Sequence, residues 1–146
     1  MKKISIIFAM LLSVIIGISV FSSCSSDDDP LVEEKSLANT IWYVYGRENY
    51  LNGEKLDGYK FTSRNWNLYA DGTCTGFKNG KWHMGGNSIY VTTNYSGYEE
   101  VSEYKIIESK TDAEKGTWEI VLRMEYEDDE FDYQLYYMRL NGVISE

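Results

Sequence analysis

Proline, histidine and cysteine are all scarce in this chain, and each scarcity excludes something. The single proline is Pro30, so no proline interrupts the hydrogen-bonded ladders of a β-sheet anywhere after residue 30. The single histidine, His83, has no second imidazole with which to share a metal ion, and structural metal sites need several such ligands. The two cysteines are Cys24 and Cys74. If Cys24 carries a modification, no intramolecular disulfide can form, and stability must come from packing.

Basic residues are also few, because 14 Lys and Arg stand against 23 Asp and Glu, giving a formal net charge of −9. Residues 1–23 contain two of the basic residues and none of the acidic ones, so the chain from Cys24 onward carries about −11. A protein this acidic repels phosphates, which argues against nucleic acid as a partner. Charge would not hold it on anionic headgroups either, so any membrane attachment must come from lipid chains.

The chain begins with an apolar segment. Residues 2 and 3 are lysines, residues 4–21 form an apolar run, and two serines stand directly before Cys24. The segment resembles the leader of Gram-negative lipoproteins, although Phe21 stands where leucine is most common. The resemblance implies a signal peptide over residues 1–23 and attachment of acyl chains such as palmitate to Cys24. An uncleaved membrane anchor and an ordinary secretory signal are the alternatives.

The segment after Cys24 is polar and acidic. Residues 25–30 read Ser-Ser-Asp-Asp-Asp-Pro, a composition that favours a solvated, flexible tether, which we predict over residues 24–36. Within lipoproteins this run resembles the tag that directs them to the outer face of the outer membrane. We therefore expect a lipid-anchored outer-membrane protein exposed at the cell surface, with the periplasmic face as the alternative.

From about residue 37 the sequence is rich in aromatic and β-branched residues, with 13 Tyr and 4 Trp in the whole chain. Residues 117–126 alternate between apolar and charged side chains, which is typical of a half-buried antiparallel strand. Asp71-Gly72 and Asn79-Gly80 predict hairpin turns, and residues 47–58 predict a polar loop. About eight strands are predicted, over residues 41–45, 66–70, 73–77, 81–84, 88–93, 101–107, 117–126 and 131–140. We predict an all-β, up-and-down antiparallel barrel, with a sandwich as the alternative.

Several short motifs carry a family resemblance. Leu-Ala-Asn-Thr-Ile-Trp at residues 37–42 and Leu-Tyr-Ala-Asp-Gly-Thr at residues 68–73 resemble lipocalin-like domains of bacterial lipoproteins, as do Trp82 and the last strand. The resemblance covers residues 37–141, which leaves residues 142–146 as a C-terminal tail. Asn39 replaces an expected glycine, and asparagine also tolerates a positive φ. The resemblance implies a structural stacking of Arg139 over Trp42 at one end of the barrel.

The sequence offers little for catalysis or metal binding. No nucleophile elbow and no phosphate-binding loop is present, and His83 stands alone between Trp82 and Met84. Cys74 lies in a strand-like context, which favours a small core-filling residue over a reactive thiol. An acidic cluster lies near the last hairpin and lacks EF-hand spacing, so we interpret it as a solvated turn: Glu125, Glu127, Asp128, Asp129, Glu130 and Asp132. We predict no cofactor and no enzymatic activity.

The aromatic residues are the remaining functional candidates. An eight-stranded barrel either fills with its own side chains or holds one small ligand. The inward candidates are Trp66, Trp82, Trp118, Tyr90, Tyr104 and Tyr126, of which Trp66, Trp82, Trp118 and Tyr126 are the pocket candidates. Tyr43, Tyr45 and Tyr136 are predicted to point outward, where they could stack on sugar rings. The first hypothesis is a binding module for a small apolar or amphipathic ligand. The alternative is a solid barrel that binds glycan or protein through exposed aromatics, and an enzyme ranks last.

Overall fold

A computed structural model describes residues 30–127 and 130–145. The leader, Cys24 and residues 128, 129 and 146 lie outside the described residues. A short helix is followed by nine strands: α1 (Glu34–Leu37), β1 (Thr40–Leu51), β2 (Glu54–Lys60), β3 (Asn65–Leu68), β4 (Thr73–Gly76), β5 (Gly80–Gly85), β6 (Ser88–Tyr95), β7 (Tyr98–Asp112), β8 (Thr117–Glu125) and β9 (Tyr133–Val143). The all-β prediction is confirmed.

The strands form one antiparallel sheet that closes on itself. Consecutive strands pair from β3 to β9, and β9 then pairs along almost all of β1, from Thr40↔Val143 to Tyr50↔Tyr133. On its other edge β1 pairs with two strands, with β3 through residues 40–43 and with β2 through residues 46–51. Eight strands therefore make the closed ring, and β2 prolongs the wall beside β3. This is the predicted up-and-down barrel.

The predicted polar loop over residues 47–58 is wrong, because this stretch forms the end of β1 and most of β2. Asn52 and Gly53 both have positive φ angles, 52° and 78°, which is the backbone that a two-residue hairpin turn requires. All of β2 is exposed, so most of its residues are polar although they form a strand. Asn39 also has a positive φ, of 57°, as expected for a residue in place of glycine.

The barrel core is built from alternate residues of the eight strands of the closed ring. In β8, Ile120 and Leu122 point inward and are fully buried, which confirms the alternation predicted for residues 117–126. The buried apolar residues of the strands are Trp42, Val44, Trp66, Leu68, Cys74, Trp82, Ile89, Val91, Tyr104, Ile106, Ile120, Leu122, Tyr136 and Met138. Fully burying a large apolar side chain contributes about 1.5–3 kcal/mol, so this core is the main source of stability.

The N-terminal segment closes one end of the barrel. Val32 and Leu37 belong to the core, and the backbone N–H of Leu31 donates to Asn87 Oδ1 at 2.5 Å. Residues 31–37 therefore pack on the barrel, in contrast to the flexible tether predicted as far as residue 36. The barrel also continues past residue 141, since β9 runs to Val143 and the Ile144 N–H donates to the Asn39 carbonyl at 2.7 Å.

Candidate functional site

The four aromatic residues predicted to line a pocket mostly contact other side chains. Trp66 is fully buried and lies edge-on to Phe77 and Tyr104, with ring centroids 5.3 and 5.5 Å away. Trp82 is buried and its Nε1–H donates to the Tyr69 carbonyl at 2.9 Å.

The other two candidates are partly buried. Trp118 lies edge-on to Trp42 at 5.0 Å, and Tyr126 lies edge-on to Phe131 at 4.9 Å. Trp118 also lines a depression of about 510 Å³ at the end closed by the N-terminal segment. The other three principal depressions on the described residues are lined by side chains on the outside of the barrel. Inside the barrel, neighbouring rings of Trp66, Phe77, Tyr104 and Tyr136 lie edge-on to one another, with centroids 4.8 to 5.9 Å apart.

Two of the predicted tyrosine orientations are wrong. Tyr90 points outward, where its ring stacks on His83 at 5.3 Å and its hydroxyl donates to Glu103 Oε1. Tyr136 points inward, is 5% exposed and donates to Gln134 Oε1 at 2.5 Å, while its neighbour Tyr137 occupies the outer face. Burial raises the pKa of the Tyr136 hydroxyl well above its usual value. Tyr104 is buried, as predicted.

The predicted stacking of Arg139 on Trp42 is also wrong. Trp42 is fully buried, and its Nε1–H donates to Thr40 Oγ1 at 2.8 Å. Arg139 lies on the outer face of β9, because Trp42 pairs with Leu140 and the two side chains of successive residues point to opposite faces. Its guanidinium bonds Glu119 through Nε and Nη2, at 2.8 and 2.6 Å, and lies 5.3 Å from the ring centroid of Tyr45.

The most distinctive outer feature is a groove of about 770 Å³ where β2, β1 and β9 run side by side. Gly46 and Gly58 lie at its floor, where Gly46 is buried beside the Tyr137 ring and the end of Lys55 lies over Gly58. Tyr45, Tyr137 and Phe61 stand around this floor, and the Tyr45 and Tyr137 ring centroids are 6.2 Å apart. We call this site the aromatic groove.

One carboxylate in the aromatic groove is held by three donors. Glu48 accepts hydrogen bonds from the Tyr137 hydroxyl at 2.7 Å, the Tyr50 hydroxyl at 2.9 Å and the Lys55 ammonium. Burial on its own raises the pKa of Glu48, but these hydrogen bonds outweigh it and hold the pKa below its usual value. Burial and the bond to Glu48 together raise the pKa of Tyr137. The groove therefore presents fixed polar atoms beside its aromatic rings.

The remaining chemical candidates are His83, Cys74 and the acidic hairpin. His83 is exposed and stacks on Tyr90, and Cys74 is buried in the core, where burial raises the pKa of its thiol. Across residues 30–127 and 130–145, no three His, Cys, Asp or Glu side chains are grouped as metal ligands would be. In the acidic hairpin, Asp132 accepts a hydrogen bond from the Asn52 backbone N–H at 2.6 Å, while Asp128 and Asp129 lie outside the described residues.

Sequence reasoning missed the aromatic groove because its parts are distant in the chain. Gly46, Gly58 and Tyr137 meet only through the pairing of β1 with β2 and with β9. Of its residues, Tyr45 alone was predicted as a surface aromatic. The available signal was the alternation of β9, in which charged Arg139 places Tyr137 on the outside.

No family model, curated protein or solved structure matches this chain. None of the helices in the described part of the chain is long and apolar enough to span a membrane. A functional assignment therefore depends on the geometry of the site.

Proposed function

We propose that this protein is a non-catalytic, lipid-anchored binding module that holds a glycan in the aromatic groove. Of the two binding hypotheses drawn from the sequence, this one takes the barrel as solid and the outer surface as functional. The observation that carries it is the contrast between an interior filled by aromatic rings and an open outer groove of about 770 Å³.

The composition of the groove suits a sugar. Pyranose rings have apolar C–H faces and hydroxyl edges, and binding sites for such ligands combine aromatic surface with a few fixed polar groups. Tyr45 and Tyr137 supply aromatic surface, while Glu48 and Lys55 supply an acceptor and a donor already held in place by each other. Gly46 and Gly58 add no side chain to the floor, so the end of Lys55 lies over Gly58 and the Tyr137 ring lies beside Gly46.

The anchor is the second part of the proposal. A lipid-bearing Cys24 would hold the groove at a membrane surface, and two or more acyl chains give firm attachment where one is marginal. We place the protein in the outer membrane, facing outward. Replacing Cys24 with alanine is then expected to remove the protein from the membrane fraction and abolish acyl labelling. Unchanged recovery in membranes would disprove this anchor.

Two tyrosine variants test the groove. We expect Tyr45→Ala and Tyr137→Ala to lose retardation in gels cast with the polysaccharide that binds the wild-type protein. Tyr98→Ala is the matched control, because this tyrosine is 69% exposed on the β6–β7 hairpin and does not line the groove. Equal retardation of all three variants would place glycan binding elsewhere, and no retardation of the wild-type protein by any polysaccharide would refute the glycan proposal.

A further inference from the structure

We propose that the ligand is an extended, uncharged glycan chain that lies across the strands, rather than a single sugar, a chain end or an acidic polysaccharide. This inference rests on the proposed glycan-binding function and adds the length and the charge of the ligand. It comes from the surface that continues beyond the aromatic groove.

The length follows from three depressions that share lining residues. The aromatic groove shares Tyr45 and Tyr137 with a depression of about 160 Å³ over β7 and β8. That depression in turn shares Lys110 and Glu119 with one of about 780 Å³ beside the β7–β8 turn. Together they form a transverse channel over five adjacent strands, β2, β1, β9, β8 and β7.

The transverse channel is long enough for several linked sugar rings. Neighbouring strands lie about 4.8 Å apart, so four steps from β2 to β7 span roughly 19 Å. Tyr45 lies on β1, Tyr137 lies on β9, the middle strand of the five, and Val121 lies opposite Tyr137 on β8. A single sugar or a chain end would occupy only a small part of the channel, whereas an extended chain would contact all of it.

The charge follows from the way the channel's ionic groups are paired. Four of its five carboxylates have a basic partner: Glu48 with Lys55, Glu108 with Lys110, Asp112 with Lys115, and Glu119 with Arg139. The fifth, Glu114, has no basic side chain within ion-pair distance among the described residues. Within the described part of the chain, Arg47 and Lys60 are the channel cations with no carboxylate within ion-pair distance.

Except at Arg47 and Lys60, an acidic chain would have to displace these carboxylates from their basic partners. It would also approach a protein whose formal net charge is −9. Uncharged hydroxyl groups, in contrast, can accept from the basic member and donate to the acidic member of each pair without breaking it. The channel therefore favours a neutral, hydroxyl-rich chain.

The experiment measures binding of the full mature protein to neutral and acidic chains. Affinity gels contain linear β-glucan, mannan or xylan on the neutral side, and polygalacturonate or alginate on the acidic side. Titration calorimetry then uses oligosaccharides of increasing length from the retarding polymer, at low and high salt. We expect retardation by a neutral polymer, affinity that rises with length until the channel is full, and little change with salt.

Val121→Arg obstructs the channel on β8, where it leaves the aromatic groove. We expect it to weaken binding of the long oligosaccharides about tenfold, equivalent to roughly 1.4 kcal/mol, and to spare those short enough to fit the aromatic groove. Val101→Arg is the matched control, with the same change of size and charge at an exposed β7 residue that does not line the channel.

The outcomes separate this inference from the function on which it rests. If affinity does not depend on length, or Val121→Arg and Val101→Arg bind alike, the extended site is refuted. If acidic chains bind best and high salt weakens their binding, the proposal of an uncharged ligand is refuted. In both cases, loss of binding in Tyr137→Ala would leave the proposed function standing. If no chain binds the wild-type protein, both proposals fail together.

Discussion

Replacing Trp66 with alanine tests whether the interior of the barrel is solid. Trp66 is fully buried on β3 and lies edge-on to Phe77 and Tyr104. If these rings pack as a core, removal of the indole leaves a cavity that the closed sheet cannot collapse. If the barrel instead holds a ligand-sized space, the neighbouring rings can move into the vacated volume at little cost.

The expected loss of stability is large. Truncating a buried tryptophan to alanine typically costs 3–5 kcal/mol, through lost transfer free energy and the cavity left behind. Each edge-on aromatic pair adds roughly 0.5–1.5 kcal/mol beyond area burial, and Trp66 takes part in two. We therefore expect about 4 kcal/mol, a large share of the 5–15 kcal/mol that stabilises a typical domain.

Guanidinium unfolding followed by far-UV circular dichroism measures this loss. Tyr98→Ala is the surface control and should change the free energy of unfolding by less than about 0.5 kcal/mol. Indole added at about 100 times its dissociation constant should restore roughly 2.7 kcal/mol to Trp66→Ala and nothing to the wild-type protein. If the variant fails to fold, Trp66→Phe provides a milder version of the same test. A loss below about 1 kcal/mol, or indole binding by the wild-type barrel, would refute the solid interior.

Three further predictions concern single side chains. Glu48→Gln should be less stable than wild type at pH 7, by up to about 1 kcal/mol. Because the folded-state pKa of Glu48 is lowered, its contribution exists above the usual carboxyl value near 4.5 and disappears as pH falls through the lower folded value. The melting temperatures of the wild-type protein and Glu48→Gln should therefore converge in acid. A difference between them that stays constant with pH would contradict this. Arg139→Ala should cost less than about 1 kcal/mol in chemical unfolding, since the side chain is 51% exposed; a larger loss would indicate a structural role. Cys74 should react with iodoacetamide only after unfolding, because burial shields the thiol and raises its pKa; rapid labelling of the native protein would refute that.

The barrel could be predicted from the sequence because its signals are local. Period-two alternation and tight turns are properties of short segments, and they identified most strands. Asn52-Gly53 carries the same turn signal as Asp71-Gly72, yet the polar residues around it suggested a loop. Those residues are polar because β2 lies outside the closed ring and covers no core, so polarity there reports exposure and not the absence of a strand.

The side-chain directions in β9 could be predicted from the sequence, yet the outward direction predicted for Tyr136 is wrong. Tyr136 and Tyr137 are adjacent and chemically identical, so composition cannot separate them. The charge of Arg139 distinguishes them, because a charged Arg139 is expected on the outer face. Alternation then places Tyr137 outside, and Tyr136 inside with Met138. The same alternation rules out Arg139 over Trp42, which was inferred from resemblance alone. The groove itself depended on register between distant strands, which no local pattern reveals.

The two floor glycines of the aromatic groove are not required by packing. A Cβ atom at Gly46 would lie 3.6 Å from its nearest neighbours, and at Gly58 it would lie 3.3 Å from Lys55 Cε, 3.4 Å from Lys55 Nζ and 3.6 Å from the Arg47 carbonyl, so that only the flexible end of Lys55 must move. Neither residue has a positive φ, and glycine within a strand costs about 0.5–1 kcal/mol relative to alanine. Gly58→Ala should therefore leave the melting temperature unchanged or raise it, while it narrows the floor and weakens glycan binding. Since these glycines lower stability and packing does not require them, we attribute them to the space that the bound glycan needs in the aromatic groove. Loss of stability in Gly58→Ala would return these glycines to a purely structural role.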